Sequence, residues 1–170
     1  MGVMDELRVL MVGDSRAREF RGSLELLRAS AEVTSAKDLA EAVSLTTRGE
    51  IAPDLIILAQ GYPRQFRAGL VEQLRGSLPT AHFVALLGSW CEGEERTGEP
   101  LPGVQRIYWH RFAGWWTAQQ RVLAAGRCPD WGEPVTAAED DRQMAASRRE
   151  TALPHVRRTP SSTIAVAASQ

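Results

Sequence analysis

The sequence predicts an α/β fold: a doubly wound five-stranded parallel sheet with helices on both faces, followed by a polar C-terminal tail. Short apolar runs alternate with segments whose apolar residues recur every three or four positions. The apolar runs begin about 25 residues apart, which is enough for one strand and the helix that leads to the next parallel strand. With 170 residues, the chain can form one domain of ordinary size and an appendage.

Five apolar runs are predicted to be the strands of this sheet. They occupy residues 7–12, 32–34, 54–58, 82–87 and 105–109. The third run follows Pro53 and is apolar without interruption after Asp54, which indicates a strand buried on both faces. The second run is the weakest, because Val33 is its only apolar residue.

Helical periodicity fills the intervals between these runs. The apolar residues that share a helical face are Phe20, Leu24 and Leu27 in the first helix, Leu39 and Val43 in the second, Phe66, Leu70, Leu74 and Leu78 in the third, and Phe112, Trp115, Trp116, Val122 and Leu123 in the last. Ser35 and Asp38 form a predicted capping box before the second helix. Residues 90–102 are rich in glutamate and glycine, which favours a loop or a single turn over a further helix.

Composition divides the chain into three parts. Residues 6–126 carry the strand and helix signals and are predicted to be the α/β domain. Residues 127–162 are predicted to be a polar, mostly disordered linker or tail, with a loose helix between Thr136 and Thr151. The apolar end, residues 163–170, is compatible with an extra edge strand, but the polar stretch before it favours the start of a further domain.

Charge and cysteine content exclude several classes of protein. Twenty basic residues against 21 acidic ones leave no excess positive field for a nucleic-acid backbone. Cys91 and Cys128 are too few for a disulfide framework, which favours a reducing compartment. The first residues are acidic and no apolar run is long enough to span a bilayer. We therefore expect a cytoplasmic domain that binds neither membranes nor nucleic acids.

Small and polar residues follow the predicted strands, at the edge where open parallel sheets hold their ligands. Residues 8–15 (Arg-Val-Leu-Met-Val-Gly-Asp-Ser), 53–58 (Pro-Asp-Leu-Ile-Ile-Leu) and 103–112 resemble the first, third and fifth strand regions of the receiver domain of bacterial two-component response regulators. The resemblance covers roughly residues 6–126. It implies the strand order 2-1-3-4-5 that receiver and flavodoxin-like proteins share.

An active receiver domain holds a divalent metal between loop carboxylates, accepts phosphate on a carboxylate of its third strand, and contacts that phosphate through a hydroxyl and a lysine. By the resemblance, these positions correspond to Gly13 and Asp14, to Ala59, to Gly88 with Ser89 beside it, and to His110. The methyl group of alanine cannot accept phosphate, and the only lysine, Lys37, lies at the start of the second helix. The resemblance therefore implies a degenerate pseudo-receiver with no catalytic residue, metal ion or cofactor.

A binding surface is what such a domain retains. In the receiver family, partners and dimer mates use the face made by the fifth strand and its flanking helices. That region of this sequence holds Trp90, Trp109, Trp115 and Trp116, a residue type enriched at interface hot spots. We expect a regulatory protein–protein interaction module in bacterial signal transduction, which binds a protein partner or a second copy of the chain. The alternative, that Trp115 or Trp116 packs on the sheet, stays open.

A second interpretation starts from Gly13-Asp14-Ser15, which is similar to the nucleophile block of GDSL-type serine hydrolases. Ser15 would be the nucleophile and one of His82, His110 or His155 its base. The Gly-x-Asn-Asp and Asp-x-x-His motifs of that family are absent from the sequence. The other interpretation of Ser15 is a helix cap.

Two further arrangements of charged residues are open from the sequence. Asp14 and His110 are predicted to lie at the same edge of the sheet, where they would form an ion pair, although a neutral histidine bonded to the backbone fits equally well. The acidic residues Glu92, Glu94, Glu95 and Glu99 are compatible with a cation site, but their spacing is more typical of a solvated turn. No glycine-rich dinucleotide motif or phosphate-binding loop occurs in the chain.

Overall fold

A computed structural model describes residues 6–92 and 101–132, and its five strands form one parallel sheet in the order β2-β1-β3-β4-β5. The strands are β1 (Arg8–Gly13), β2 (Glu32–Ala36), β3 (Leu55–Gln60), β4 (His82–Leu87) and β5 (Gln105–Tyr108). The predicted five-stranded parallel α/β fold is therefore confirmed, with the order of flavodoxin-like sheets. Every residue of the central strand β3 is buried, as its uninterrupted apolar run predicts.

Four helices cover the two faces of the sheet. They are α1 (Arg18–Arg28), α2 (Leu39–Thr47), α3 (Ala68–Ser77) and α4 (Trp109–Ala124). The face under α2 and α3 is largely aliphatic, with Leu39, Val71 and Leu74 packed on alternate residues of the strands. The face under α1 and α4 is more aromatic, and it contains Phe20 and Phe112. Each buried apolar side chain of this size contributes about 1.5–3 kcal/mol, so both faces hold the helices on the sheet.

The cap of α2 differs from the predicted capping box. Asp38, not Ser35, is the N-cap, and its carboxylate accepts a hydrogen bond of 2.8 Å from the backbone N–H of Glu41. The Glu41 carboxylate in turn accepts a bond of 2.7 Å from the N–H of Lys37. The prediction for Ser35 was wrong because β2 extends through Ala36, and pairing with β1 holds Ser35 in the strand.

Two other boundaries differ from the sequence prediction. Helix α3 begins at Ala68, so Phe66 lies in the preceding loop, where it is buried. Strand β5 ends at Tyr108, and Trp109 is the first residue of α4 rather than the last of the strand. After β4 the chain forms a single 3-10 turn, Ser89–Cys91, at the start of the segment predicted to be a loop or a single turn. Residues 93–100 lie outside the described part of the chain.

The packed region extends past Gly126. A second 3-10 turn, Asp130–Gly132, places Trp131 in a buried position, with its ring 5.7 Å from that of Trp116. The side chain of Gln119 exchanges two hydrogen bonds of 2.8 Å with Asp130 and holds the turn on α4. The predictions for a loose helix at 136–151 and for the apolar end at 163–170 concern residues outside the described ones.

Within residues 6–92 and 101–132, no helix combines the length and the apolar composition that crossing a bilayer requires. The longest helix, α4, has 16 residues and carries several arginines and glutamines.

Candidate functional site

The carboxyl ends of β1, β3, β4 and β5 meet along one edge of the sheet, here called the carboxyl edge. Pairing sets Gly13 opposite Ala59, Gln60 opposite Leu87, and Leu87 opposite Tyr108. The residues that follow these strands therefore lie side by side. All six positions of the degenerate acidic pocket, namely Gly13, Asp14, Ala59, Gly88, Ser89 and His110, belong to this edge.

The backbone is closed around Gly13 and Ala59. Ala59 is fully buried, and Gly13 has a φ of 113°, a conformation that side-chain-bearing residues rarely adopt. A Cβ on Gly13 would lie 2.6 Å from the carbonyl oxygen of Ala59 and 3.3 Å from the ring of Phe66. A carboxylate therefore has no room at position 13. Within the described residues, no group of three or more His, Cys, Asp or Glu side chains is arranged to hold a metal ion.

A glutamate that the sequence analysis did not single out occupies the middle of this edge. Glu19, in the first turn of α1, accepts two hydrogen bonds of 2.8 Å, from the backbone N–H and from the hydroxyl of Ser89. A Cβ on Gly88 would lie 2.8 Å from the Glu19 carboxyl carbon, so glycine is needed there for the contact. The carboxylate connects α1 to the turn that carries Trp90. No local sequence signal points to it, because the two residues are 70 positions apart.

Asp14 and Ser15 have local roles in the turn between β1 and α1. The exposed Asp14 carboxylate accepts a bond of 3.2 Å from the N–H of Arg16. Ser15 is buried, and the N-cap of α1 is Ala17 with no side-chain bond, so Ser15 is not the cap. Neither His82 nor His110 makes a hydrogen bond to Ser15 among the described contacts. His155, the third candidate base, lies outside the described residues.

His110 does not pair with Asp14. Its Nδ1 atom lies 3.9 Å from a carboxylate oxygen of Glu92, and both side chains are about half exposed. The imidazole also stacks on the ring of Tyr108 at a centroid distance of 5.8 Å. An exposed pair at this distance contributes little free energy, so the geometry only biases the orientation of His110. Glu94, Glu95 and Glu99, which the sequence analysis groups with Glu92 as a possible cation site or a solvated turn, lie outside the described residues.

The four tryptophans proposed as partner-binding residues fall into two groups. Trp90 is 80% exposed and Trp109 is 38% exposed, both at the carboxyl edge. Trp115 is partly buried and packs against Trp131 at 5.4 Å. Trp116 is 2% exposed, and its indole N–H donates a bond of 3.0 Å to the hydroxyl of Ser30. Trp116 therefore packs in the core, which is the alternative that the sequence left open, because α4 turns its indole inward.

Tyr62 adds a third exposed aromatic side chain that the sequence analysis did not assign to a site. It lies two residues after β3 and is 60% exposed. Tyr62, Trp90 and Trp109 follow the adjacent strands β3, β4 and β5, so the three residues lie at the same edge of the sheet. An aromatic residue directly before Pro63, just past a strand end, was the available sequence signal.

No protein-family model matches this chain, and neither does any curated protein.

Proposed function

We propose that this chain is a phosphorylation-independent pseudo-receiver that acts as a regulatory protein–protein interaction module in bacterial signal transduction. The observation that carries the proposal is the exposure of Trp90, Trp109 and Tyr62 together at one edge of the sheet. Large apolar side chains are rarely left in water as a group unless a partner covers them. Tryptophan and tyrosine are also the residue types that contribute most to interfaces, because they supply stiff, wide contact areas.

The structure of the acidic pocket supports the phosphorylation-independent part of the proposal. At the position of the phosphoacceptor, Ala59 offers only a buried methyl group. The site of the first metal-binding carboxylate is a glycine whose backbone excludes a larger residue. The Glu19 carboxylate also occupies the N–H and hydroxyl donors of Ser89. Incoming phosphate would meet the negative charge of this carboxylate there.

Incubation with acetyl phosphate and Mg²⁺, followed by intact mass spectrometry, tests this part directly. The expected result is an unchanged mass, because no carboxylate is placed to accept the phosphoryl group. An active receiver domain treated in parallel provides the positive control. A mass increase corresponding to one phosphoryl group, lost on alkaline treatment, would contradict the proposal.

Site-specific photocrosslinking in living cells tests the interaction. A benzophenone side chain at position 90 or 109 is expected to capture a protein partner or a second copy of the chain. The matched control is position 26, since Leu26 on α1 has the same 38% exposure as Trp109 but lies away from the carboxyl edge. Equal capture from position 26, or no adduct from positions 90 and 109, would refute an interaction through this surface.

A further inference from the structure

Five arginines lie, like the exposed aromatic residues, just past the strand ends at the carboxyl edge. Arg16 and Arg18 follow β1, Arg64 and Arg67 follow β3, and Arg111 lies in the first turn of α4. All five are exposed. None of them forms an ion pair with another residue in the described ranges, 6–92 and 101–132. These arginines, together with Tyr62, Trp90 and Trp109, are called the arginine–aromatic edge below.

The positions of these arginines are unfavourable for the helices. Arg67 is the N-cap of α3 and makes no side-chain capping bond, and α3 has no acidic residue in its first turn. Arg111 occupies the third position of α4, which also has no acid in its first turn. A positive side chain at a helix N-terminus opposes the macrodipole, whereas an aspartate or glutamate would be stabilising. The starts of α3 and α4 therefore lack the stabilisation that an acidic residue would provide there.

The loop after β3 shows a second, independent feature that is locally unfavourable, a strained backbone. Arg64 has a φ of 60° and is the only described residue other than glycine with a positive φ. Non-glycine residues held in this region carry strain and concentrate at binding and catalytic sites. The strained turn presents Arg64 next to the exposed Tyr62. The strained backbone of Arg64 and the arginines that oppose the helix dipoles therefore lie at the same edge of the sheet.

We propose that the arginine–aromatic edge binds an acidic segment of the partner protein. Its aspartate or glutamate carboxylates pair with the arginines, and apolar side chains between them pack on Trp90, Tyr62 and Trp109. Guanidinium groups bind carboxylates with two parallel hydrogen bonds, and flat aromatic rings bury apolar side chains at little entropic cost. This assignment rests on the proposed function, because it identifies the chemistry of the partner that the interaction module would bind.

Charge distribution favours an acidic protein segment over a nucleic acid. Exposed carboxylates, Asp14 and Glu92, lie on the same edge as the arginines. The full chain has a net charge of −1, so it provides no extended positive field. A nucleic acid presents a phosphate at every step and would meet these carboxylates. A peptide can place its few acidic residues on the arginines alone.

Fluorescence anisotropy with labelled peptides tests the proposal. The probe is a short synthetic peptide of alternating aspartate and phenylalanine; the controls are the same peptide with lysine for aspartate, and oligothymidylate. The double variant Arg67→Asp/Arg111→Glu is expected to weaken acidic-peptide binding about tenfold or more. Its melting temperature should rise by about 3 °C, because both new acids lie at helix N-termini. Structural damage in the double variant would instead lower both its affinity for the acidic peptide and its melting temperature.

The matched control is Arg28→Asp/Arg121→Glu, which changes the net charge equally but in the last turns of α1 and α4. We expect it to change acidic-peptide affinity by about twofold or less, because charges beyond the Debye length are screened. Equal weakening by both double variants, equal binding of the lysine peptide, or no binding of the acidic peptide by the unmodified protein would overturn the proposal. Tighter binding of oligothymidylate than of the acidic peptide would also overturn it and assign the edge to nucleic acid.

Failure of this inference is distinguishable from failure of the proposed function. If crosslinking from positions 90 and 109 captures a protein in cells while the acidic peptide does not bind, the interaction module stands and the acidic partner is refuted. If the acidic peptide binds as expected while no adduct forms from these positions, the surface chemistry stands and the proposed cellular interaction is refuted.

Discussion

At the amino edge of the sheet, where strands begin and helices end, the arginines stabilise the fold. Arg28, Arg75 and Arg121 lie in the last turns of α1, α3 and α4, where positive charge complements the helix dipole. Arg8, at the start of β1, donates two side-chain hydrogen bonds to the carboxylate of Asp54, at 3.1 and 3.3 Å. The arginines of the carboxyl edge lie instead at helix starts, without ion pairs among the described residues.

The contrast separates residues that maintain the fold from residues available for binding. The same side chain is locally favourable at one end of a helix and unfavourable at the other, so chain-wide arginine content does not explain both placements. α2 serves as an internal reference at the carboxyl edge, because it begins with Asp38 and Glu41 and is capped by both. The helix starts that carry arginine and lack an acidic residue are thus confined to the part of the carboxyl edge that also exposes the aromatic rings.

The largest effect on stability is expected from placing a carboxylate at position 13. Gly13→Asp places a Cβ 2.6 Å from the Ala59 carbonyl at a φ of 113° and should destabilise the fold by about 3 kcal/mol or more. Gly49→Asp is the control, since Gly49 also has a positive φ but its Cβ would meet nothing within 4 Å. That variant should lose only about 1 kcal/mol. Urea unfolding measures both, and equal losses would mean that the edge has room for a carboxylate.

Removal of the paired acid at the amino edge is expected to rank second. Asp54→Ala deletes the acceptor of the backbone N–H and of two guanidinium nitrogens of Arg8, and we expect a loss of about 1–2 kcal/mol. Asp14→Ala, at the opposite end of β1, removes one bond of 3.2 Å and should cost about 0.5 kcal/mol or less. If the two variants were equally destabilised, the amino edge would have no special role in stability.

Reversing the charge of one arginine at a helix start should have a smaller effect, and it should increase the free energy of unfolding rather than lower it. Arg67→Asp gives α3 a capping carboxylate and should raise the free energy of unfolding by about 1 kcal/mol. Arg75→Asp, in the last turn of the same helix, should lower it, because the charge then opposes the dipole and the hydrogen bond to the Pro102 carbonyl is lost. Thermal unfolding of the pair checks the signs. Stabilisation by both variants would contradict the comparison between edges.

The smallest effect is expected at the most exposed aromatic residue. Trp90→Ala removes a side chain that is 80% exposed and should change the free energy of unfolding by about 0.5 kcal/mol or less. Trp116→Ala is the reference, since this indole is buried and should cost about 3–5 kcal/mol on truncation. Denaturant titrations followed by far-UV circular dichroism compare them. A large loss for Trp90→Ala would assign that residue to the fold rather than to a binding surface.

The strands and most helix faces were predictable because they follow from short-range patterns. Residues 55–58 and 83–87 are apolar without interruption, and burial between two helical layers is the outcome such runs favour. The boundary errors have the same origin. Ser35 and Phe66 fit the local helical pattern, but strand pairing holds Ser35 in β2, and the loop after β3 buries Phe66 against Gly13.

The candidate site was predictable only in part. The absence of a carboxylate at Gly13 and Ala59 is visible in the sequence once the strands are aligned with the receiver pattern. The roles of Glu19 and Tyr62 were not. Glu19 has no motif around it, and its bonds to Ser89 exist only because α1 and the loop after β4 meet at one edge. The sequence likewise did not indicate which of its four tryptophans between positions 90 and 116 has an indole that α4 buries.

By itself, the sequence determined the number of strands and their parallel α/β arrangement, because these follow from residue type and periodicity. Tertiary structure decided that Glu19 holds the Ser89 turn, that Trp116 is buried while Trp90 is exposed, and that arginines which follow three different strands lie at one edge of the sheet. The physical reason is distance along the chain. Periodicity acts over a few residues, whereas these contacts depend on which strand ends the sheet brings side by side.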